Sequence, residues 1–368
     1  MNRERLSVLA VAALLVLGVA AFLAFRRNAN EQTPAGVSLY PKLSSDMASV
    51  TSLSVRKGSA TANVTVHKQG DRWTVAQRAD YPADVSKLRK LLLALTDAKI
   101  VEEKTSDPAN YAIIGVDDPG AASSSATEIA FTDKDGAHAL LVGKSVGDGN
   151  FVRRGGDKQS YSVRPGIYVE SEPRFWIDAK LIDIPIDSIE RIDYKPFGAP
   201  AYSVRRLPAP PKAEAASAAS AAAPPASPPL FAMDGVPQGR KAQEAQTLAP
   251  SASIFNGLTA DDVAQAADID FSKPMVATIT EKDGTTVTVT GTVVGDKHWI
   301  EIAGIKDAAF SAKSQGRAYE LASYRYDGIL RPIEQLLVAK EPPPEKKSDE
   351  KSKPLPSKSA AKRPLSGS

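Results

Sequence analysis

The sequence predicts an α+β protein: a single N-terminal transmembrane helix, then two tandem copies of an antiparallel-sheet-plus-helix unit, with disordered insertions and tail. Three observations lead there. A run of twenty uncharged, mostly apolar residues lies near the start, a stretch of the middle repeats 148 residues later without a gap, and two low-complexity segments break the pattern.

The apolar run is Leu6–Phe25, LSVLAVAALLVLGVAAFLAF. About twenty helical residues at ~1.5 Å rise cross a hydrocarbon layer of roughly 30 Å. A cleaved signal peptide usually has a shorter apolar region and a small-x-small site. This run ends in Phe25-Arg26-Arg27, which favours a retained anchor over residues 1–27. Arg3 and Arg5 face Arg26 and Arg27 across it, so the positive-inside rule does not set the orientation. Residues 28–44 read as a juxtamembrane segment.

The repeat pairs Phe131–Arg153, FTDKDGAHALLVGKSVGDGNFVR, with Ile279–Glu301, ITEKDGTTVTVTGTVVGDKHWIE. Thr132, Lys134, Asp135, Gly136, Gly143, Val146, Gly147 and Asp148 are identical to their counterparts. Other landmarks pair in the same order. Val50, Leu53 and Val55 match Ile189, Ile192 and Tyr194. Leu91-Leu92 and Leu95-Thr96 match Ile254-Phe255 and Leu258-Thr259. Tyr161 and Tyr168 match Tyr319 and Tyr326. Collinear order over most of the chain points to duplication.

Each copy reads as strands, one helix, then a strand meander. Val64, Val66, Trp73 and Val75 alternate around Gln69-Gly70-Asp71, a hairpin pattern. Val85, Leu88, Leu91, Leu92 and Leu95 recur at helical spacing after Asp80-Tyr81-Pro82. Asp135-Gly136 and Asp283-Gly284 sit between alternating runs, where glycine supplies the positive φ of a tight turn. The leucine stripe must be buried on a sheet, giving an α+β layer.

The offset between copies is 139 at the early strands and 163 at the helix, so the second copy gains 24 residues between them. That gain coincides with Leu207–Pro229, LPAPPKAEAASAASAAAPPASPP. It therefore reads as a disordered loop replacing a hairpin turn inside the second copy, not as an interdomain linker. The first repeat is placed at 45–186 and the second at 187–339, with the boundary near Ile184–Asp187. Residues 340–368 read as a disordered basic tail.

Composition narrows the function. The tail carries net +4 and residues 1–27 net +3, so residues 28–339 carry net −4 within the overall +3. A folded body without a basic surplus argues against nucleic-acid binding. The absence of cysteine removes disulfide scaffolds, zinc ribbons and thiol catalysis.

Motifs that mimic chemistry resolve into structural ones. Gly143-Lys144-Ser145 lacks the upstream glycine of a phosphate loop, since position 138 is His138, and it reads as a strand-end turn. Asp133-Lys134-Asp135-Gly136 lacks the glycine position and late glutamate of a calcium loop. His67, His138 and His298 fall at non-equivalent places and read as surface or edge-strand residues. Asp117-Asp118 reads as a solvated turn in preference to a general acid–base pair. Trp73, Trp176 and Trp299 read as packing anchors, with Trp176 at the junction of the copies. No catalytic, cofactor-binding or metal-binding residue is assigned.

Leu39-Tyr40-Pro41 after the anchor, Trp73 after a hairpin, Asn110-Tyr111-Ala112-Ile113-Ile114-Gly115-Val116-Asp117-Asp118-Pro119 after a leucine-rich helix, and Trp176-Ile177-Asp178-Ala179-Lys180-Leu181 together resemble the bacterial domain-of-unknown-function 4340 (DUF4340) family over roughly residues 37–339. The resemblance implies an inner-membrane anchored, periplasm-facing protein associated with an ABC transport system of the gliding-motility type, and it carries over no catalytic residues.

The leading expectation is thus a non-enzymatic, single-pass accessory or scaffold protein of the bacterial inner membrane, docking its periplasmic body on ABC transporter membrane subunits or another envelope complex. The alternative is a module that binds an envelope glycan, a lipid or a transported ligand, although no small-molecule ligand can be named. A hydrolase is disfavoured because no nucleophile–base pair is present.

Overall fold

Alternating apolar residues build two antiparallel sheets in the computed structural model, which describes residues 36–58, 61–119, 124–208, 229–250 and 252–339. The first sheet contains β1 (Ser52–Lys57), β2 (Val64–Gln69), β3 (Arg72–Val75), β4 (Tyr81–Pro82), β5 (Lys99–Glu103), β6 (Thr127–Asp133), β7 (Gly136–Val146), β8 (Gly149–Arg154) and β9 (Ser160–Arg164), in the order β4-β3-β2-β1-β6-β7-β8-β9-β5. The second contains β10 (Ile189–Pro196), β11 (Tyr202–Arg206), β12 (Phe231–Asp234), β13 (Asp262–Gln265), β14 (Met275–Glu281), β15 (Thr286–Val294), β16 (Lys297–Ala303) and β17 (Arg317–Leu321), in the order β12-β11-β10-β14-β15-β16-β17-β13. Apart from the short β4, the two orders are the same. Leu53 opposes Phe131 in one sheet as Ile192 opposes Ile279 in the other.

The helices are few. Among the described residues Val85–Asp97 is the longest, and Asp84 caps it by accepting from the amides of Ser86 and Lys87. Leu88, Leu91, Leu92 and Leu95 are buried, but Val85, expected in the same stripe, is 46% exposed. The counterpart in the second half is a single turn, Ala252–Phe255, in place of the expected helix. Pro250 precedes it and Gly257, at φ +66°, ends it. A proline and a left-handed glycine so close together leave no room for a second turn.

The sheets are joined through main-chain pairing. Ile177 bridges to Ala83, and the Asp178 amide donates to the Pro82 carbonyl, which closes the first sheet's layer. From Ala179 the chain pairs with the second half: the Ala260 amide donates to Ala179, Leu181 to Leu258, Leu258 to Ile182, and Ile184 to Phe255, at 2.8–2.9 Å. The changeover therefore falls at Asp178–Ala179, ahead of the expected Ile184–Asp187. At the other end, Leu39 donates to Ala98 and Ile100 to Val37, the same kind of pairing. Leu39 and Leu43 are buried, so the segment expected to be juxtamembrane, 28–44, belongs to the packed body from Gly36 onward. An apolar segment beside an open backbone edge gains both burial and hydrogen bonds by pairing.

Side chains reinforce the junction. Arg78 holds both carboxylate oxygens of Asp262 through Nε and Nη2, at 2.5 and 2.7 Å, and Arg317 donates to the Ala79 carbonyl at 2.6 Å. Lys313 bonds the Asp178 carboxylate and the Lys180 carbonyl. Tyr81 meets Tyr319 edge to face, with ring centres 6.0 Å apart. One buried apolar cluster runs from Leu39 to Leu337 through both halves.

The gap-free repeat hides a one-residue slip. In the first sheet Phe131 opposes His138, whereas in the second Ile279 opposes Val287, one residue further than the sequence offset. The second hairpin spends an extra residue in its turn: Asp135 lies in the two-residue turn 134–135, but Asp283-Gly284 lie in the three-residue turn 282–284, closed by the Glu281 amide donating to the Thr285 carbonyl. The first sheet recovers the residue through a bulge between Val142 and Ser145. Residues 137–142 thus stand one place out of step with their sequence counterparts.

The anchor expected at 1–27, the tail 340–368 and most of the Pro/Ala/Ser loop lie outside the described residues, among which no helix is long and apolar enough to cross a membrane. The strands flanking that loop are neighbours: Val204 opposes Met233, Arg206 opposes Phe231, and the Leu207 amide donates to Leu230 at 2.8 Å. Closing a longer loop costs only about 0.6 kcal/mol per doubling of length. Replacing residues 208–228 with Asn-Gly should leave the thermal midpoint unchanged or slightly raised, as read by circular dichroism. Loss of the cooperative transition would show that the segment carries part of the fold.

Breaking the junction should do more. Asp262→Ala strands the mostly buried Arg78 guanidinium and is expected to cost about 1–3 kcal/mol in a urea titration.

Candidate interaction surface

A sheet has two faces, and in each half the inner face meets the core. The outer faces differ. On the first sheet Leu141, Phe151 and Arg153 point outward and are covered by the segment 107–118. Asp107 caps a short 3-10 turn at Pro108–Asn110, the helix Tyr111–Ile114 follows, and Gly115 ends it at φ +75°. Tyr111, Val116, Ala126 and Leu141 form a small separate apolar cluster, with Ile114 and Phe151 against it.

Arg153 holds this cover down. It is 3% exposed, donates to the carbonyls of Val116 (2.9 Å) and Asp157 (3.0 Å), and pairs with Asp118 at 2.6 Å. Its guanidinium lies 4.4 Å from the centre of the Tyr111 ring, a cation–π distance. The Tyr111 hydroxyl donates to the Lys158 carbonyl. A buried guanidinium is tolerable because each of its three nitrogens has an acceptor.

The phosphate-loop look-alike belongs to the same assembly. Gly143-Lys144 is the mid-strand bulge of β7 and not a strand-end turn. A Cβ on Gly143 would collide with the carbonyl oxygens of Ile114 and Gly115, and Lys144 donates to the Ile113 carbonyl at 2.8 Å. The residue pair that resembled nucleotide chemistry is a seat for the covering segment. Its sequence partner Gly291 faces inward, against Tyr326 and Leu330. The register slip accounts for this change of side.

Other expected features fall as follows. Asp118 is a partner of Arg153 as well as an exposed turn residue, and Asp117 has one buried carboxylate oxygen without a partner. His67, His138 and His298 lie on β2, β7 and β16, which are interior strands and not edges. His138 stacks on Phe131 at 4.8 Å and bonds Asp133; His67 faces Asp80 at 3.4 Å; His298 meets Tyr326. The three histidines are thus dispersed, and no metal-competent cluster occurs among the described residues. Asp133–Gly136 forms a hairpin turn. Trp73 packs half-buried against the core, and Trp176 donates to the Glu170 carbonyl within the first half. Trp299 lies on the outer face, opposite Thr292.

Two grooves adjoin these surfaces. One, of about 330 Å³, lies between the helix Val85–Asp97 and the segment 166–176, walled by Leu91, Tyr168, Phe175 and Trp176 with Lys87 and Lys90 at its side. The other, of about 490 Å³, lies on the second half and includes Thr288, Thr290, Glu301 and Arg317.

Arg153 and Glu301 belong to no sequence motif that points to a function. The available signal was a charge reversal at one aligned position of the repeat, where Arg153 stands against Glu301. Arg153→Met, which keeps the stem and removes the donors, should cost about 1.5–3 kcal/mol in a urea titration. It should also open 107–118 to proteolysis before the rest of the body unfolds.

No curated protein and no solved structure matches the chain. The family described as "Domain of unknown function (DUF4340)" matches residues 73–274, a span that includes the covering segment, its arginine seat and the junction of the two sheets. The chain belongs to the DUF4340 family.

Proposed function

We propose that this protein is a non-enzymatic, membrane-anchored periplasmic accessory or scaffold that docks on an ABC-type transporter or another envelope complex. The observation that carries the reading is the pairing of residues 177–184 into both halves, with the Arg78–Asp262 pair across the junction. Two sheets tied by main-chain pairing and a shared apolar core present large outer faces, which suits docking better than a hinged cleft. The Leu6–Phe25 run supplies the anchor in this reading, and the two halves are tandem copies of one duplicated unit. The dispersal of the histidines and the commitment of Arg153 and Lys144 to backbone carbonyls support a structural use of these groups over a chemical one.

A phosphatase fused after Lys340 should be active in cells, and mild-detergent purification should recover transporter subunits in stoichiometric amounts. An inactive fusion paired with a fluorescent cytoplasmic reporter at the same site would overturn the topology. Purification of the chain alone at native expression would overturn the docking.

The aromatic groove at Tyr168, Phe175 and Trp176 favours a second reading, a module for an envelope glycan or lipid. Tyr168 is 68% exposed, as a stacking platform would be. Tight binding on a glycan or lipid array, lost in Tyr168→Ala, would place this reading first.

A further inference from the structure

Among the described residues the two outer faces differ by one missing cover. Strand pairing makes Thr290 and Glu301 the counterparts of Leu141 and Arg153, because each pair sits opposite across the equivalent strands. In the first half residues 104–126 connect β5 to β6 and include the covering segment 107–118; in the second, only residues 266–274 connect β13 to β14. That short connection reaches one end of the face, where the Thr292 hydroxyl donates to the Asp270 carbonyl at 3.0 Å. Thr288, Thr290 and Glu301 are left as part of the 490 Å³ groove, with Gly304, Ser311 and Ser314 on its other wall.

Glu301 is half-buried there and has no hydrogen-bond or ion-pair partner among the described residues. Burial pushes its carboxyl above the ordinary range. Arg317, the cation in the same lining, is committed to the Ala79 carbonyl. A partly desolvated carboxylate without a partner is costly, and a cation brought to it recovers that cost. The hydroxyls of Thr288 and Thr290 can bond the main chain of whatever enters, and those of Ser311 and Ser314, which already donate to the Ile305 and Ser311 carbonyls, can accept from it.

We propose that the groove of the second sheet receives a chain segment of a partner protein that presents a lysine or arginine side chain to Glu301, in the place that residues 107–118 occupy on the first sheet. The inference deepens the docking reading and rests on it. The charges are exchanged: the first sheet holds an arginine that grips the carbonyls and Asp118 of its own chain, whereas the second offers a carboxylate to a foreign cation. Charge complementarity of this kind sets register and partner choice.

The test uses the full chain in detergent with threonine methyl groups labelled, and the peptides acetyl-Gly-Gly-Arg-Gly-Gly-amide and its Glu analogue as probes. The arginine peptide should move the Thr288 and Thr290 signals at millimolar concentration, the glutamate peptide should not, and Glu301→Gln should weaken the effect about tenfold. An unchanged thermal midpoint shows that Glu301→Gln is folded. No shift, equal binding of both peptides, or equal binding by Glu301→Gln would each overturn the proposal. Equal binding by free arginine amide would also overturn it, because the site would then take a small cation and not a chain. In the mild-detergent purification, Glu301→Arg should lose the partner; partner subunits that persist would sink the groove and leave the docking reading standing.

Discussion

Side chains alternate between the two faces of a strand, and that period of two governs what each surface here can do. The inner faces are apolar and merge into one core, so they leave little choice. The outer faces are free to differ, and one residue of register decides how. The bulge at Gly143-Lys144 turns Gly143 outward, where its missing side chain admits the Ile114 and Gly115 carbonyls and Lys144 can reach Ile113. Without the bulge, Gly291 turns inward and admits Tyr326 and Leu330. An identical glycine thus serves opposite sides of equivalent strands.

The cover on the first sheet depends on the same constraint. Arg153 shares its outward side with Leu141, so its guanidinium is buried under 107–118 and must be satisfied by what covers it. Three backbone or carboxylate acceptors and an aromatic face do this. At the counterpart position Glu301 has a threonine-lined groove and no cover among the described residues. Among the described residues the difference between the halves is therefore one of completion: one surface is finished by its own chain, and the other is left open.

The junction shows how a repeat becomes a single body. Each half needs an extended segment paired beside its helix side, and residues 36–39 supply it for the first. Residues 179–184 supply it for the second, immediately after 177–178 have closed the first. Because one short stretch serves both halves, little chain is left to act as a hinge. Ion pairing of Arg78 with Asp262 and the contact of Tyr81 with Tyr319 then close the remaining gap.

Much of this architecture was legible in the sequence because it rests on local patterns. Alternation placed the strands, the leucine spacing placed the helix at 85–97, and the offset change placed the Pro/Ala/Ser insertion between strands that do pair, β11 and β12. The helix expected near Ile254 failed because Pro250 and Gly257 outweigh the matched leucine pattern. The slip at 137–142 was invisible, since an added turn residue in one copy and a bulge in the other cancel in the sequence count. The boundary at Asp178 and the packing of Gly36–Leu43 depend on pairing partners more than fifty residues away. The seat at Arg153 and the groove at Glu301 were likewise decided by tertiary structure. Burial and partnership are properties of the assembled faces, and a linear chain of residues records only the charge reversal that they exploit.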